Sequence, residues 1–283
     1  MSPAGGIGSY GRSAVRSALR LLGLDLSIDD ENVTGIPVWS DLLDQILHQA
    51  CADGKLVVRE TVVDDVRRIS QRGSPAWCLS GNQEPLAKMR VDPSEGVARR
   101  ITRFLRDTEA REWGGCARLL GRSGGAVLKT WVPGVPLHSV DEASRGELIL
   151  HISRRLAELH GRTGVTCAVV CGADDYNTVV MPDGQVAFVD LEATTVGPRW
   201  LDVAWSEALL CRSEEEREEL WRGYLEATTL RRPNALNWQR ARKRYLLWYR
   251  TQLQRGAARH PADITILQDL AEVENQLTLV HGS

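Results

Sequence analysis

No apolar run in these 283 residues approaches the roughly 18 that a membrane-spanning helix needs, so no membrane partner is expected. A secretory apolar core is missing too, and Asn32-Val33-Thr34 is therefore not read as a glycosylation site. Charge of one sign is equally scarce, because 35 Lys and Arg stand against 37 Asp and Glu, a net −2. Without a global basic field, nucleic acid is not an expected partner. The six Cys are scattered; Cys167 and Cys171, with His160 nearby, come closest to a cluster, and no C-x-x-C pairs exist. Zinc frameworks are thereby disfavoured, and reduced, buried thiols in a cytoplasmic protein are the expectation. Repeats and low-complexity tracts are also absent. What remains is a globular chain long enough for one large domain or two lobes.

The pattern along the chain changes twice. Residues 1–60 read as helical: Val15, Leu19 and Leu22 share a face, and Ser40 is placed to cap a helix carrying Leu43, Ile46 and Leu47 that ends near Gly54. From Val57 short alternating segments follow, VVRETVV, VRRIS, AWCLS and PLAKMRV, with turns at Arg72-Gly73-Ser74-Pro75 and Ser80-Gly81-Asn82. A helix is expected from Ser94 to about Glu112 and a strand in AVLKTWVPGVPL, residues 126–137. Helices then dominate. Ser139 with Glu142 makes one capping-box pattern, before a helix stopped by Gly161, and Ser213 with Glu216 makes another. The final 50 residues carry Trp238, Tyr245, Leu246, Trp248 and Tyr249 in a helical pattern.

Two apparent motifs fail on context. Gly6-Ile7-Gly8-Ser9-Tyr10-Gly11 matches G-x-G-x-x-G, but only five residues precede it, and the motif needs a strand there. Gly124-Gly125 with Lys129-Thr130 is not a P-loop, since the Lys does not directly follow the last Gly. The basic run RARKRYLLWYR, 240–250, reads as an amphipathic helix.

The stretch CGADDYNTVVMPDGQVAFVDLEA, Cys171 to Ala193, carries the chemistry. Its apolar runs Thr178–Met181 and Val186–Val189 pair across Pro182-Asp183-Gly184, which returns Asp190 towards Asn177. Mg²⁺ takes oxygen ligands and keeps several waters, so one Asn and one Asp at the ends of a hairpin suffice to hold it. This stretch resembles the aminoglycoside phosphotransferase and choline kinase branch of the protein-kinase-like fold. There a His-Gly-Asp-(four residues)-Asn loop leads through a hairpin to Ile-Asp-Phe/Trp-Glu/Asp, and later to Gly-Asp-Pro…Asp-Leu-Ala. Here stand Asn177, then Phe188-Val189-Asp190-Leu191-Glu192, then Gly197-Pro198-Arg199-Trp200-Leu201-Asp202-Val203-Ala204. Upstream, Val127 to Leu137 is similar to the family's hinge, and Ser70 to Met89 to its nucleotide-covering hairpin.

The resemblance covers roughly residues 62–280 and implies an α+β, bilobal protein-kinase-like fold. A small antiparallel-sheet lobe (61–131) and a larger helical lobe (132–283) make up that fold, and the helical amino-terminal extension (1–60) lies outside the resemblance. It implies ATP and Mg²⁺ as cofactors. Gly73 and Ser74 would cover the nucleotide, Lys88 would pair with phosphate, Lys129 and Trp131 would border the adenine, and Asn177 and Asp190 would hold the metal. Asp202 is implied as a structural carboxylate bracing the catalytic loop.

The loop departs from the family, because Cys171-Gly172-Ala173 stands where His-Gly-Asp is usual and the loop is one residue shorter. Asp174 and Asp175 are the remaining carboxylates for a catalytic role. No acid is clearly spaced to pair with Lys88, since Glu95 comes early and Glu109 late. The expected activity is phosphoryl transfer to a hydroxyl of a small molecule, such as an antibiotic or amino sugar, or of a peptide Ser/Thr in a natural-product pathway. The rival expectation is a pseudokinase that binds nucleotide, peptide or a partner enzyme without turnover.

Overall fold

The structure, a computed structural model, describes residues 9–24, 39–70, 74–92, 95–161, 166–169, 173–191 and 194–228, with single positions and short helical pieces from 234 to 277. The chain divides into two compact units, Met1–Val135 with Val179–Thr194, and Pro136–Thr178 with Thr195–Ser283.

The first unit opens with α1 (Ser9–Leu21) and α2 (Trp39–Ala52). On α1, Val15, Ala18 and Leu19 are buried while Arg16 and Arg20 are exposed, so the arginines mark the wet face of an ordinary helix. Ser40 lies inside the first turn of α2 and not at its cap, and its hydroxyl accepts from Arg68 Nη2 at 3.1 Å. A short hairpin of β1 (Val57–Val58) and β2 (Thr61–Val62) follows. Next come β3 (Asp65–Arg68), β4 (Ala76–Gly81) and β5 (Glu84–Val91), then α3 (Glu95–Ala110), β6 (Leu119–Ser123) and β7 (Ala126–Thr130). These strands form an antiparallel sheet in the order β3-β4-β5-β7-β6. Gly81 stays in the β4 strand; the turn to β5 is Asn82-Gln83, both with positive φ, as a two-residue hairpin turn requires.

Side chains alternate across a strand, and that alternation splits this sheet cleanly. Trp77, Leu79, Ala87, Met89 and Leu128 face α1 and α2, joining Val15, Leu19, Leu43 and Leu47 in one core. Trp77 Nε1 donates to Asp44 Oδ1 at 2.8 Å, which satisfies the indole beneath the helical layer. The opposite face carries Cys78, Lys88 and Arg90, with Lys129 beside them on β7.

Gly134 follows β7 with φ 133°, and a Cβ there would lie 2.2 Å from the Val180 carbonyl oxygen, so the chain needs glycine. Beyond it are β8 (Val135–Pro136), a 3₁₀ turn (Leu137–Ser139) and α4 (Glu142–His160). Ser139 belongs to that turn, so the first capping box does not form. The residue before α4 is Asp141, whose side chain makes no capping bond. Gly161 does end α4, at φ 67°. The remaining elements are β9 (Thr166–Val169), β10 (Thr178–Val180), β11 (Val186–Phe188), β12 (Thr195–Pro198), α5 (Trp200–Leu210) and α6 (Glu214–Ala227). β10 and β11 pair as the expected hairpin, and β12 pairs antiparallel with β9. Ser213 caps α6 as expected, its Oγ accepting from the Glu216 amide at 3.2 Å.

The second unit is tied by a buried polar cluster. His160 at the end of α4 places Nε2 2.9 Å from Asp202 Oδ2 on α5 and Nδ1 2.7 Å from the Tyr224 hydroxyl on α6. Towards the carboxyl end Leu246 is buried and Tyr249 helical, whereas Trp238, Tyr245 and Trp248 lie outside the described residues.

Candidate functional site

In the first unit the site begins with strand register. Lys88 on β5 and Lys129 on β7 are directly paired, so their side chains leave the same face as neighbours. Arg90, two residues along β5, shares that face. Arg90 Nη1 lies 3.5 Å from Asp190 Oδ1 and its Nη2 3.6 Å from Asp92 Oδ2. Lys129 is 7 % exposed and donates from Nζ to the Val189 carbonyl at 2.6 Å. Arg90 therefore meets the carboxylate that the hairpin delivers, and Lys129 meets the carbonyl just before it.

Burial pushes the Lys88 ammonium below its ordinary value; Asp190 opposes that shift and Arg90 adds to it. The Lys129 amine is pushed down to about 7, by burial first and then by Lys88. Among the described residues no carboxylate forms an ion pair with Lys88, and neither Glu95 nor Glu109 supplies one. Lys129 thus lies within the face that carries Lys88, a placement no adenine-bordering role required.

Ser74 is held by its own lobe, donating from Oγ to Asp92 Oδ2 at 2.7 Å; Gly73 lies outside the described residues. Trp131 is half-buried, its amide donates to the Leu86 carbonyl at 3.0 Å, and its side chain borders a cavity of about 620 Å³ with Trp113, Met181 and Ala187. Trp113 packs between Phe104 and Phe188 on the wall of that cavity.

In the second unit the loop before β10 is tightly bonded. Cys171 and Gly172 lie outside the described residues, and Ala173 is buried. Asp174 Oδ1 accepts from the amides of Tyr176 (2.8 Å) and Asn177 (2.6 Å), and Oδ2 accepts from Asn177 Nδ2 at 2.8 Å. Because Nδ2 is taken, the Asn177 side chain is oriented and its Oδ1 is left as the acceptor end. Asp175 is clamped by two guanidiniums, Arg145 Nη1 on Oδ1 and Arg212 Nη2 on Oδ2, each at 2.8 Å. Arg145 is itself buried, donating also to Glu216 Oε1 and to the Leu210 carbonyl. Both acids expected to be available for catalysis are thus engaged, Asp174 within the loop and Asp175 by arginines outside it. Asp202 is buried with His160 on α4 as a side-chain partner.

Each expected metal ligand, taken by itself, carries an oxygen of the kind Mg²⁺ accepts. Asp190 offers carboxylate oxygens on the first unit, and Asn177 offers an oriented amide oxygen on the second. The sequence reading passed over Arg90, Arg145 and Arg212. Arg90 was findable, since i and i+2 on a strand share a face with Lys88. Arg145 and Arg212 carried no local signal, because their partner Asp175 is 30 and 37 residues away.

The sequence matches no family model and no curated protein. Solved structures do match in fold. An ethanolamine kinase from Plasmodium vivax superposes with a TM-score of 0.59 at 10% identity, covering 97% of this chain and 94% of that one. A macrolide 2′-phosphotransferase from Brachybacterium faecium gives 0.57 at 11% identity, covering 81% and 97%. An aminoglycoside phosphotransferase in complex with gentamicin gives 0.56 at 13% identity, covering 83% and 95%. The chain therefore has the protein-kinase-like fold, in the form shared by antibiotic phosphotransferases and choline or ethanolamine kinases.

Proposed function

We propose that this protein is an ATP-dependent phosphotransferase that moves the γ-phosphate to a hydroxyl of a small molecule, such as an antibiotic or amino sugar, or of a peptide Ser/Thr. The observation that carries this reading is the paired, largely buried row of Lys88 and Lys129 facing Asp190. Two largely buried amines side by side on one face are what polyphosphate binding requires. Lys88 binds phosphate, and Trp131 with its neighbours borders the base. Asn177 and Asp190 would each offer an oxygen to Mg²⁺, which would neutralise charge on the phosphates. Asp174 positions the Asn177 amide, and Asp175 with Arg145 and Arg212 keeps the loop in shape.

Fold neighbours described as aminoglycoside, macrolide and ethanolamine phosphotransferases support a small hydroxyl acceptor. A second reading, a pseudokinase that binds nucleotide without turnover, is favoured by one feature: Ala173 replaces an acid and both neighbouring acids are already bonded.

ATP consumption measured against aminoglycosides, macrolides, ethanolamine, choline and Ser/Thr peptides separates the two. Transfer to any of them supports the enzyme, and tight ATP binding with no transfer supports the pseudokinase. In either case Lys88→Met should weaken ATP by tenfold or more, roughly, while leaving adenosine unchanged, because one charge-assisted contact is lost. Equal weakening of both would remove Lys88 from the phosphate site.

A further inference from the structure

We propose that this chain holds the phosphates of a nucleoside di- or triphosphate on its own three cations, Lys88, Arg90 and Lys129, so that nucleotide binding does not require Mg²⁺. This rests on the nucleotide reading above and goes beyond it. Lys88 and Lys129 are cross-strand partners, and like charges set directly opposite on a sheet repel. Both are largely removed from water, which makes the repulsion stronger and leaves each ammonium with less hydration. Among the described residues Lys129 hydrogen-bonds to a carbonyl oxygen, from Val189, and Lys88 has no ion pair. An anion entering this face relieves the repulsion and favours the charged form of both amines, which Asp190 alone does not restore.

Arg90 completes the arrangement. Its guanidinium, 13 % exposed, stands between Asp190 and Asp92 at 3.5 and 3.6 Å. Asp190 would ordinarily repel a phosphate chain unless a divalent ion stood between them. Here a fixed guanidinium already offsets that carboxylate, and the two lysines stand beside it on the same face. The metal function is thus partly written into β5 and β7. A bound Mg²⁺ remains compatible with Asn177 and Asp190; it ceases to be the condition for affinity.

The test is calorimetric titration of the full-length protein with ATP, ADP and adenosine, in EDTA and in excess Mg²⁺. ATP and ADP are expected to bind in EDTA within about threefold of their affinity in Mg²⁺, and at least about tenfold tighter than adenosine. Lys129→Met and Arg90→Gln should each weaken ATP about tenfold in EDTA and leave adenosine unchanged. ATP that binds only with Mg²⁺ overturns the proposal and leaves the nucleotide reading standing. ATP that binds no better than adenosine in both buffers overturns the two together. The wild-type comparison decides the matter alone should a variant fail to fold.

Discussion

Lys129 illustrates how far a residue's chemistry depends on its neighbours. A surface lysine on a strand stays protonated, whereas this one, buried beside Lys88, has its amine pushed down to about 7. The consequence for stability has a definite sign. The folded value lies below the unfolded one, so between about pH 7 and 10 the unfolded chain binds more protons and stability rises with pH. Below about pH 7 both states are charged, and the cost of burying the ammonium is felt in full. Lys129→Met should therefore stabilise the unliganded protein most near pH 6, by an amount on the order of a few kcal/mol, and the advantage should shrink towards pH 10. Denaturant melts of both proteins across that range provide the check. A difference that does not change with pH would mean that Lys129 titrates normally.

Among the elements, the second unit is informative because its helices meet through polar atoms. His160, Asp202 and Tyr224 come from α4, α5 and α6 and are buried together, each hydrogen-bonded to the imidazole or from it. Leaving a buried partner unsatisfied costs about 1–3 kcal/mol, so His160→Leu should lower stability by about that amount. Tyr224→Phe, which gives up the Nδ1 contact, should cost about 1 kcal/mol. Thermal unfolding reads both, and a His160→Leu melt indistinguishable from wild type would show that the helices are held by apolar packing alone. Elements were the most legible level of the sequence. The hairpin β10–β11 was read from its apolar runs and Pro-Asp-Gly turn, and the Ser213 cap from its spacing to Glu216. The capping boxes show the limit, since Ser139 and Glu142 have the same spacing and form no cap. There the chain leaving Pro136 is already committed to a 3₁₀ turn that places Ser139 elsewhere.

At the scale of the whole molecule, the amino-terminal helices decide whether the sheet can exist. One of its faces, with Trp77, Leu79, Met89 and Leu128, is covered by α1 and α2 and belongs to the same core as Leu43 and Leu47. Leu43→Ala or Leu47→Ala should each cost about 2–5 kcal/mol. A chain lacking residues 1–52 should fail to give a cooperative melt and should bind a hydrophobic dye. A cooperative melt from that truncated chain would show that the sheet needs no helical layer. The elements were legible because hydrophobic period and turn residues are written locally, within a few residues of one another, and the fold was legible through the family resemblance that the motifs carry. So were Lys88 on its strand and Asn177 and Asp190 at the ends of a hairpin. What only the tertiary structure decided is which charges meet: Lys129 with Lys88, Arg90 with Asp190, Arg145 and Arg212 with Asp175, His160 with Asp202. These partners lie from 30 to 100 residues apart. Strand register and helix packing bring them together, and charge attraction acts through space over a few ångströms, so no local pattern records it.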